Sequence, residues 1–283
     1  MIEDLQLHGL SKNTQLLYVR EVRHLAEYYR KPPDQITEEE LRQYFLYLSK
    51  EKHVSPSTLR VALCGIRFFY ERTLHKQWTI LDLVRPPSEK KLPVVLTVDE
   101  VRQILACVNH LRYRACLGTI YACGLRIQEG IHLQVTDIDA EREVIHIRNG
   151  KGGKDRYVPL PQPILKLLRR YWVTHRHPVW IFPSRWGVGD RPDRAENPMT
   201  VRGVQRAFQD ALRESGVQKV TTVHSLRHSY ATHLLEAGVN LRVIQSYLGH
   251  ASPTSTAIYT HLTPITIGQA ADAINHVLEN IWQ

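Results

Sequence analysis

Two short stretches carry arginines spaced to grip an anion. In Gly124-Leu125-Arg126-Ile127-Gln128-Glu129, Arg126 follows closely on a glycine suited to a short turn, and Glu129 stands three residues on, on the same face if a helix continues. In His224-Ser225-Leu226-Arg227-His228, His224 and Arg227 lie one helical turn apart, so both side chains can converge on one ligand. Arginine suits a phosphate because its planar fork stays charged and donates to two oxygens at once. Cleaving a phosphodiester without metal needs such cations on the non-bridging oxygens, an acid for the departing 5′-oxygen, and a nucleophile in line behind the phosphorus. The chain offers residues for each part, including Leu248-Gly249-His250 and, nine residues beyond His250, Tyr259 in Thr256-Ala257-Ile258-Tyr259-Thr260-His261. Taken singly, each box has a plainer reading: Arg126 and Glu129 as a surface ion pair, His224 and Arg227 as a solvated polar face, Tyr259 as one of 13 tyrosines.

Composition narrows the partner. The 283 residues are 43% apolar, enough for one large core or two smaller ones, and 37 Lys plus Arg against 28 Asp plus Glu give a net +9. That excess favours a polyanion over an acidic protein or a neutral ligand. The opening Met1-Ile2-Glu3-Asp4-Leu5-Gln6 lacks a cationic segment followed by an apolar one, and no uncharged apolar run is long enough to span a bilayer, so a soluble cytoplasmic protein without membrane contact is expected. Cys64, Cys107, Cys116 and Cys123 form no C-x-x-C pair, which argues against a zinc ribbon or redox dithiol and for buried reduced thiols. His224 and His228 have the four-residue spacing of a zinc-binding helix, but the zincin pattern needs Glu directly after the first His and Ser225 stands there. Neither a metal nor a cofactor is expected.

The elements that must position these residues follow from periodicity. Apolar residues recur at three- and four-residue spacing over Ser11 to Tyr29, Thr37 to Ser49 and Ser55 to Leu74, with a capping box from Thr37 to Glu40, Pro56 at a first turn, and a short break at Lys31-Pro32-Pro33-Asp34. This predicts an N-terminal helical bundle over 1–84. Residues 85–95, with three prolines and three basic residues, read as a linker, and a second capping box from Thr97 to Glu100 opens a second domain over 96–283. There, Glu143 to Arg148 and Asp155 to Leu160 form a β-hairpin around the glycine-rich loop Asn149-Gly150-Lys151-Gly152-Gly153-Lys154. Helices are expected over Thr200 to Glu214, His224 to Glu236 ending at Gly238, Asn240 to Leu248 ending at Gly249, and Pro264 to Ile281, the last with an apolar stripe of Ile267, Ala270, Ala271, Ile274, Val277, Leu278 and Ile281. The fold class is therefore mainly α with a small β-sheet.

In this order and at these intervals, G-L-R-x-x-E, K-G-x-K-x-R-x-V-P-L, H-x-L-R-H, L-G-H and I-Y-T-H resemble the tyrosine recombinase family, above all the Xer-like branch of bacterial and phage integrases. Ser11-x-Asn13-Thr14 ahead of Tyr18 extends the resemblance to that family's N-terminal, SAM-like DNA-binding domain, so it covers nearly the whole chain. Two positions depart from the pattern: Gln128 stands where a small residue is usual and Gly130 where leucine is usual, which puts the packing after Arg126 in question.

The resemblance implies an α+β catalytic domain and a site-specific recombinase that cuts and rejoins DNA through a 3′-phosphotyrosyl link. Tyr259 would be the nucleophile, Arg126 and Arg227 the phosphate clamp, Lys151 the acid for the 5′-oxygen with Lys154 as its rival. His224 would help to handle the tyrosine proton, His250 would hydrogen-bond a phosphate oxygen, and Glu129 would orient its neighbours. The implied partner is double-stranded DNA, bound by a homotetramer of chains that are monomers in free solution; the terminal helix either packs on its own domain or exchanges between protomers. Ser57, Thr58, Arg60 and Arg67 on an N-terminal helix, Lys90 and Lys91 in the linker, and Lys154 and Arg156 in the hairpin are further candidate DNA contacts. His228 and His261 read as packing residues. A nicking and resealing relaxase of the type IB topoisomerase kind, and a relative that binds DNA without cutting it, are the alternatives.

Overall fold

The computed structural model describes residues 1–86, 92–148, 155–184 and 192–249. The chain divides into two compact units, Met1–Lys91 and Leu92–Gln283. The first holds helices α1 (Ile2–Leu7), α2 (Lys12–Tyr29), α3 (Glu38–Leu46), α4 (Pro56–Arg67) and α5 (Ile80–Leu83). Their starts are chemically marked: the Ser11 and Ser55 hydroxyls accept from the Thr14 and Thr58 N–H groups, and Thr37 with Glu40 closes a reciprocal capping box. Past their α-helical ends, α3 and α4 widen into π-helical turns at Tyr47–Glu51 and Phe68–Thr73, which carry the helical path on through Ser49 and nearly to Leu74. The apolar stripes meet around Leu25, Leu41, Ile66, Tyr70 and Leu81, all fully buried. Each such side chain contributes about 1.5–3 kcal/mol by leaving water.

The second unit begins with α6 (Val98–Ala106), α7 (Leu111–Ala122) and α8 (Ile127–Ile131), passes through an antiparallel sheet of β1 (Ile138–Asp139), β2 (Val144–Ile147) and β3 (Arg156–Pro159), and continues with α9 (Gln162–Trp172), α10 (Val201–Glu214), α11 (Val223–Glu236) and α12 (Leu241–Leu248). In β2 and β3 the pair Ile145 and Val158 is buried, while the next pair, His146 and Tyr157, points to the other face and stacks at 4.8 Å. Helix α7 is the hub: Ala115 to Ile120 are buried without interruption, and α8, α9, α10 and α11 all pack on it. Helix α12 packs on both α11 and β3. These contacts bring the start of α8, the start of β3, the first turns of α11 and the end of α12 into one neighbourhood.

The architecture is mainly α with one small sheet. The expected terminal helix over 264–281, the hairpin loop over 149–154 and residues 87–91 of the expected linker lie outside the described residues. Cys116 and Cys123 are buried and Cys107 partly so, but Cys64 departs from the expected burial and is exposed on α4. Among the described residues, no helix is long and apolar enough to cross a membrane. Gly130, one of the two departures from the family pattern, has a packing reason: a Cβ there would lie 2.7 Å from Ile120 Cγ1 of α7. Replacing Gly130 by the leucine usual at this position is therefore expected to overpack the α7/α8 contact and lower stability by about 1–3 kcal/mol, read as the shift of the urea unfolding midpoint.

Candidate active site

The site starts with a turn that only glycine makes without strain. Gly124 has φ +60°, and a Cβ on it would lie 2.4 Å from Tyr230 Cδ1. The turn leaves Arg126 in extended backbone as the residue that caps α8. From that position the Arg126 backbone N–H donates to Glu129 Oε2 at 2.8 Å and its Nη1 donates to Oε1 at 2.8 Å, while Nη2 reaches the Gly249 carbonyl at 3.3 Å.

Glu129 also receives Arg156. That side chain leaves the first residue of β3 and grips the carboxylate with both ends of its fork, Nη1 to Oε1 at 2.9 Å and Nη2 to Oε2 at 2.7 Å, while Nε donates to the Tyr247 carbonyl at 2.7 Å. Arg227 arrives from α11. It is 1% exposed, lies 3.7 Å from Glu129 Oε2, and donates to the Gly124 carbonyl at 2.7 Å and to the Leu248 carbonyl. One carboxylate thus holds three guanidiniums, and the three successive carbonyls of Tyr247, Leu248 and Gly249 at the end of α12 each accept from one of them. A helix C-terminus carries partial negative charge, so it suits this role.

Burial by itself would raise the Glu129 pKa; the hydrogen bonds and charge of Arg156, then the bonds from Arg126, outweigh it and hold the carboxyl at about 2. Glu129 is therefore ionised across the physiological range and works as an acceptor only. His224 sits exposed one turn before Arg227, and its pKa is lowered by partial desolvation and by the charges of Arg227 and Arg126. Its ring meets that of His228 edge-on at 4.6 Å. Desolvation, then His224 and Arg227, push His228 down to about 4, so it is neutral at pH 7. Among the described residues, no cluster of His, Cys, Asp and Glu is placed to hold a metal ion.

Two family models match this chain, "Phage integrase family" over residues 94–265 and "Phage integrase, N-terminal SAM-like domain" over residues 1–80. The chain belongs to the phage integrase family. Within that family it is similar to "Putative integrase/recombinase y4qK" of Sinorhizobium fredii, 42% identical over 263 residues that cover 93% of this chain and 83% of that one. It is also similar to the tyrosine recombinase XerA of Pyrococcus furiosus, 31% identical over 282 residues and covering 98% and 93% of the two chains. A lambda integrase tetramer solved on a Holliday junction shares the fold, with a TM-score of 0.71 at 18% identity over 91% of this chain and 74% of that one. The integrase is a tyrosine site-specific recombinase, as the order of its boxes implied.

Of the residues singled out from the integrase sequence, the structure brings Arg126, Glu129, His224 and Arg227 together. Lys151, Lys154, His250, Tyr259 and His261, like Lys90 and Lys91, lie outside the described residues. Ser57, Thr58 and Arg60 are exposed on the first turns of α4. The other two expected DNA contacts bond within their own units. Arg67 is turned to its own unit, donating to the Leu81 carbonyl and to Asp82 and lying 3.6 Å from Glu71. Arg156 is 9% exposed with all three guanidinium nitrogens engaged by Glu129 and Tyr247. A sequence signal for the second existed: in a strand, Arg156 shares a face with Val158, which is buried. The backbone carbonyls of Tyr247 to Gly249 leave no mark in residue type.

Because the Glu129 pKa is depressed by folding, its contribution to stability is full above the ordinary value of 4.5 and is lost as pH falls through about 2. Glu129→Gln strands the arginines without their counter-charge, so a loss of roughly 3–5 kcal/mol is expected at neutral pH. The gap between the unfolding curves of wild type and variant should narrow as pH drops from about 4.5 towards about 2. A gap independent of pH contradicts the assignment.

Proposed function

We propose that this chain cuts and rejoins double-stranded DNA at a specific site, with the scissile phosphate seated on Arg126 and Arg227. The observation that supports this reading is the convergence of those two guanidiniums, from distant stretches of sequence, on one ionised carboxylate and one helix end. Glu129 fixes them, so their charge meets the phosphorane as it forms with little reorganisation. Tyr259 Oη attacks phosphorus and the bond to the 5′-oxygen breaks, leaving a 3′-phosphotyrosyl link and, after a proton from Lys151 or its rival Lys154, a free 5′-hydroxyl. His224, whose pKa is lowered by partial desolvation and the nearby arginines, accepts the phenol proton. His250 hydrogen-bonds a phosphate oxygen. Rejoining reverses these steps with a 5′-hydroxyl as nucleophile, and the covalent link conserves the bond energy.

On this reading residues 1–84 are a DNA-binding domain that presents Ser57, Thr58 and Arg60, 85–95 are a linker in which Lys90 and Lys91 meet phosphates, and 96–283 are the catalytic domain. Four chains act together on DNA, as in the lambda integrase tetramer solved on a Holliday junction. A nicked suicide duplex tests the chemistry: wild type should accumulate a covalent adduct, Tyr259→Phe none, and Arg227→Ala should form it about 10²–10³-fold more slowly. An adduct surviving Tyr259→Phe moves the nucleophile elsewhere. On plasmids carrying two sites, recombinant products are expected, and relaxed circles alone would contradict strand exchange.

A further inference from the structure

We propose that Arg156 is a positioning residue for strand cleavage, setting the arginine cluster and the exit of the chain from α12 in a single arrangement, and that it does not contact DNA. The inference rests on the reading of Arg126 and Arg227 as the phosphate clamp and names a part of the same site that no catalytic role requires.

Three observations carry it. First, the side-by-side bonds from Nη1 and Nη2 grip both oxygens of Glu129 at 2.9 and 2.7 Å, so the carboxylate cannot rotate. With its plane fixed, Oε1 faces Arg126 Nη1, and Oε2 faces the Arg126 backbone N–H and the Arg227 guanidinium. Second, the same side chain supports the end of α12. Its Nε bonds the Tyr247 carbonyl, and the left-handed turn at Gly249, φ +59°, lies against its stem: a Cβ on Gly249 would come within 3.0 Å of Arg156 Cδ. The residue after that turn is His250, and Tyr259 follows nine residues later. Third, Arg156 begins β3 beside buried Val158 and its side chain is 9% exposed against 23% for Arg126, so it is anchored in the core. One guanidinium thus ties the hairpin, the carboxylate that orients the clamp, and the chain leading to the nucleophile. Lysine cannot take over this geometry, since one ammonium does not span two carboxylate oxygens and a carbonyl in a plane.

The test measures two quantities on the full-length chain: affinity for a nicked duplex across a salt series, and the single-turnover rate of covalent adduct on that duplex, which carries the sequence found attached to the wild-type protein. Arg156→Ala is expected to bind with wild-type affinity and salt slope and to form adduct roughly 10- to 100-fold more slowly. Arg156→Lys should fall between them, and it supplies both readouts if the alanine variant does not fold. A salt slope reduced by about one phosphate contact, with weaker binding, would make Arg156 a DNA ligand and overturn the proposal. So would a wild-type adduct rate with only a lowered melting temperature, the signature of a residue that merely stabilises. Arg227→Ala is run alongside: if it cleaves normally, the phosphate-clamp reading itself fails, whereas a slow Arg227→Ala beside a normal Arg156→Ala overturns this inference alone.

Discussion

The arginine cluster of the catalytic unit is arranged around one largely buried carboxylate. Glu129 must stay ionised in a place where burial opposes ionisation, and it does so because Arg156 and Arg126 satisfy both its oxygens. The dependence is mutual. Arg227 is almost fully removed from water, and an arginine so placed costs several kcal/mol unless its charge is balanced and its N–H groups are bonded. The Gly124 and Leu248 carbonyls supply those bonds, and the nearby Glu129 supplies the charge.

The cluster also explains why the elements meet where they do. Gly124 lets the chain turn tightly against Tyr230, so that α8 starts with Arg126 at its cap; α11 carries Arg227 into the same space; and α12 ends with its unsatisfied carbonyls aimed at the guanidiniums. One carboxylate cannot neutralise three guanidiniums, and the carbonyl ends of a short helix add only partial charge. The surplus favours a further anion, which is what a scissile phosphate brings. Side chains already fixed by their neighbours lose little freedom when it arrives, and that pre-organisation is the catalytic asset of the arrangement.

Much of this was legible in the sequence. Capping boxes at Thr37 and Thr97 and the amphipathic stripes gave the helix starts, alternation gave the hairpin, and the spacing of Arg126, Glu129, His224 and Arg227 identified side chains that the structure gathers. What was not legible has physical reasons. Helix α7 is buried on every side from Ala115 to Ile120 because it is the hub of the core, so that stretch lacks the one-sided stripe by which a surface helix is recognised. Helix α9 does show such a stripe, through Leu165, Leu168 and Tyr171, and goes beyond the elements expected from the sequence. The partners of Arg156 and Arg67 inside their own units, Glu129 and Asp82, lie 27 and 15 residues away in the chain, and residue type alone does not pair them. The carbonyls at the end of α12 could not be foreseen, since backbone groups carry no sequence signature.

The most direct measurement of the central claim is a crystal structure of the chain on duplex DNA with vanadate in place of the scissile phosphate. The guanidiniums of Arg126 and Arg227 should lie on the equatorial oxygens, with Glu129 still bonded to Arg126 and to both ends of Arg156. Vanadate seated away from these arginines, or a Glu129 carboxylate released from Arg156 when the anion binds, would contradict it.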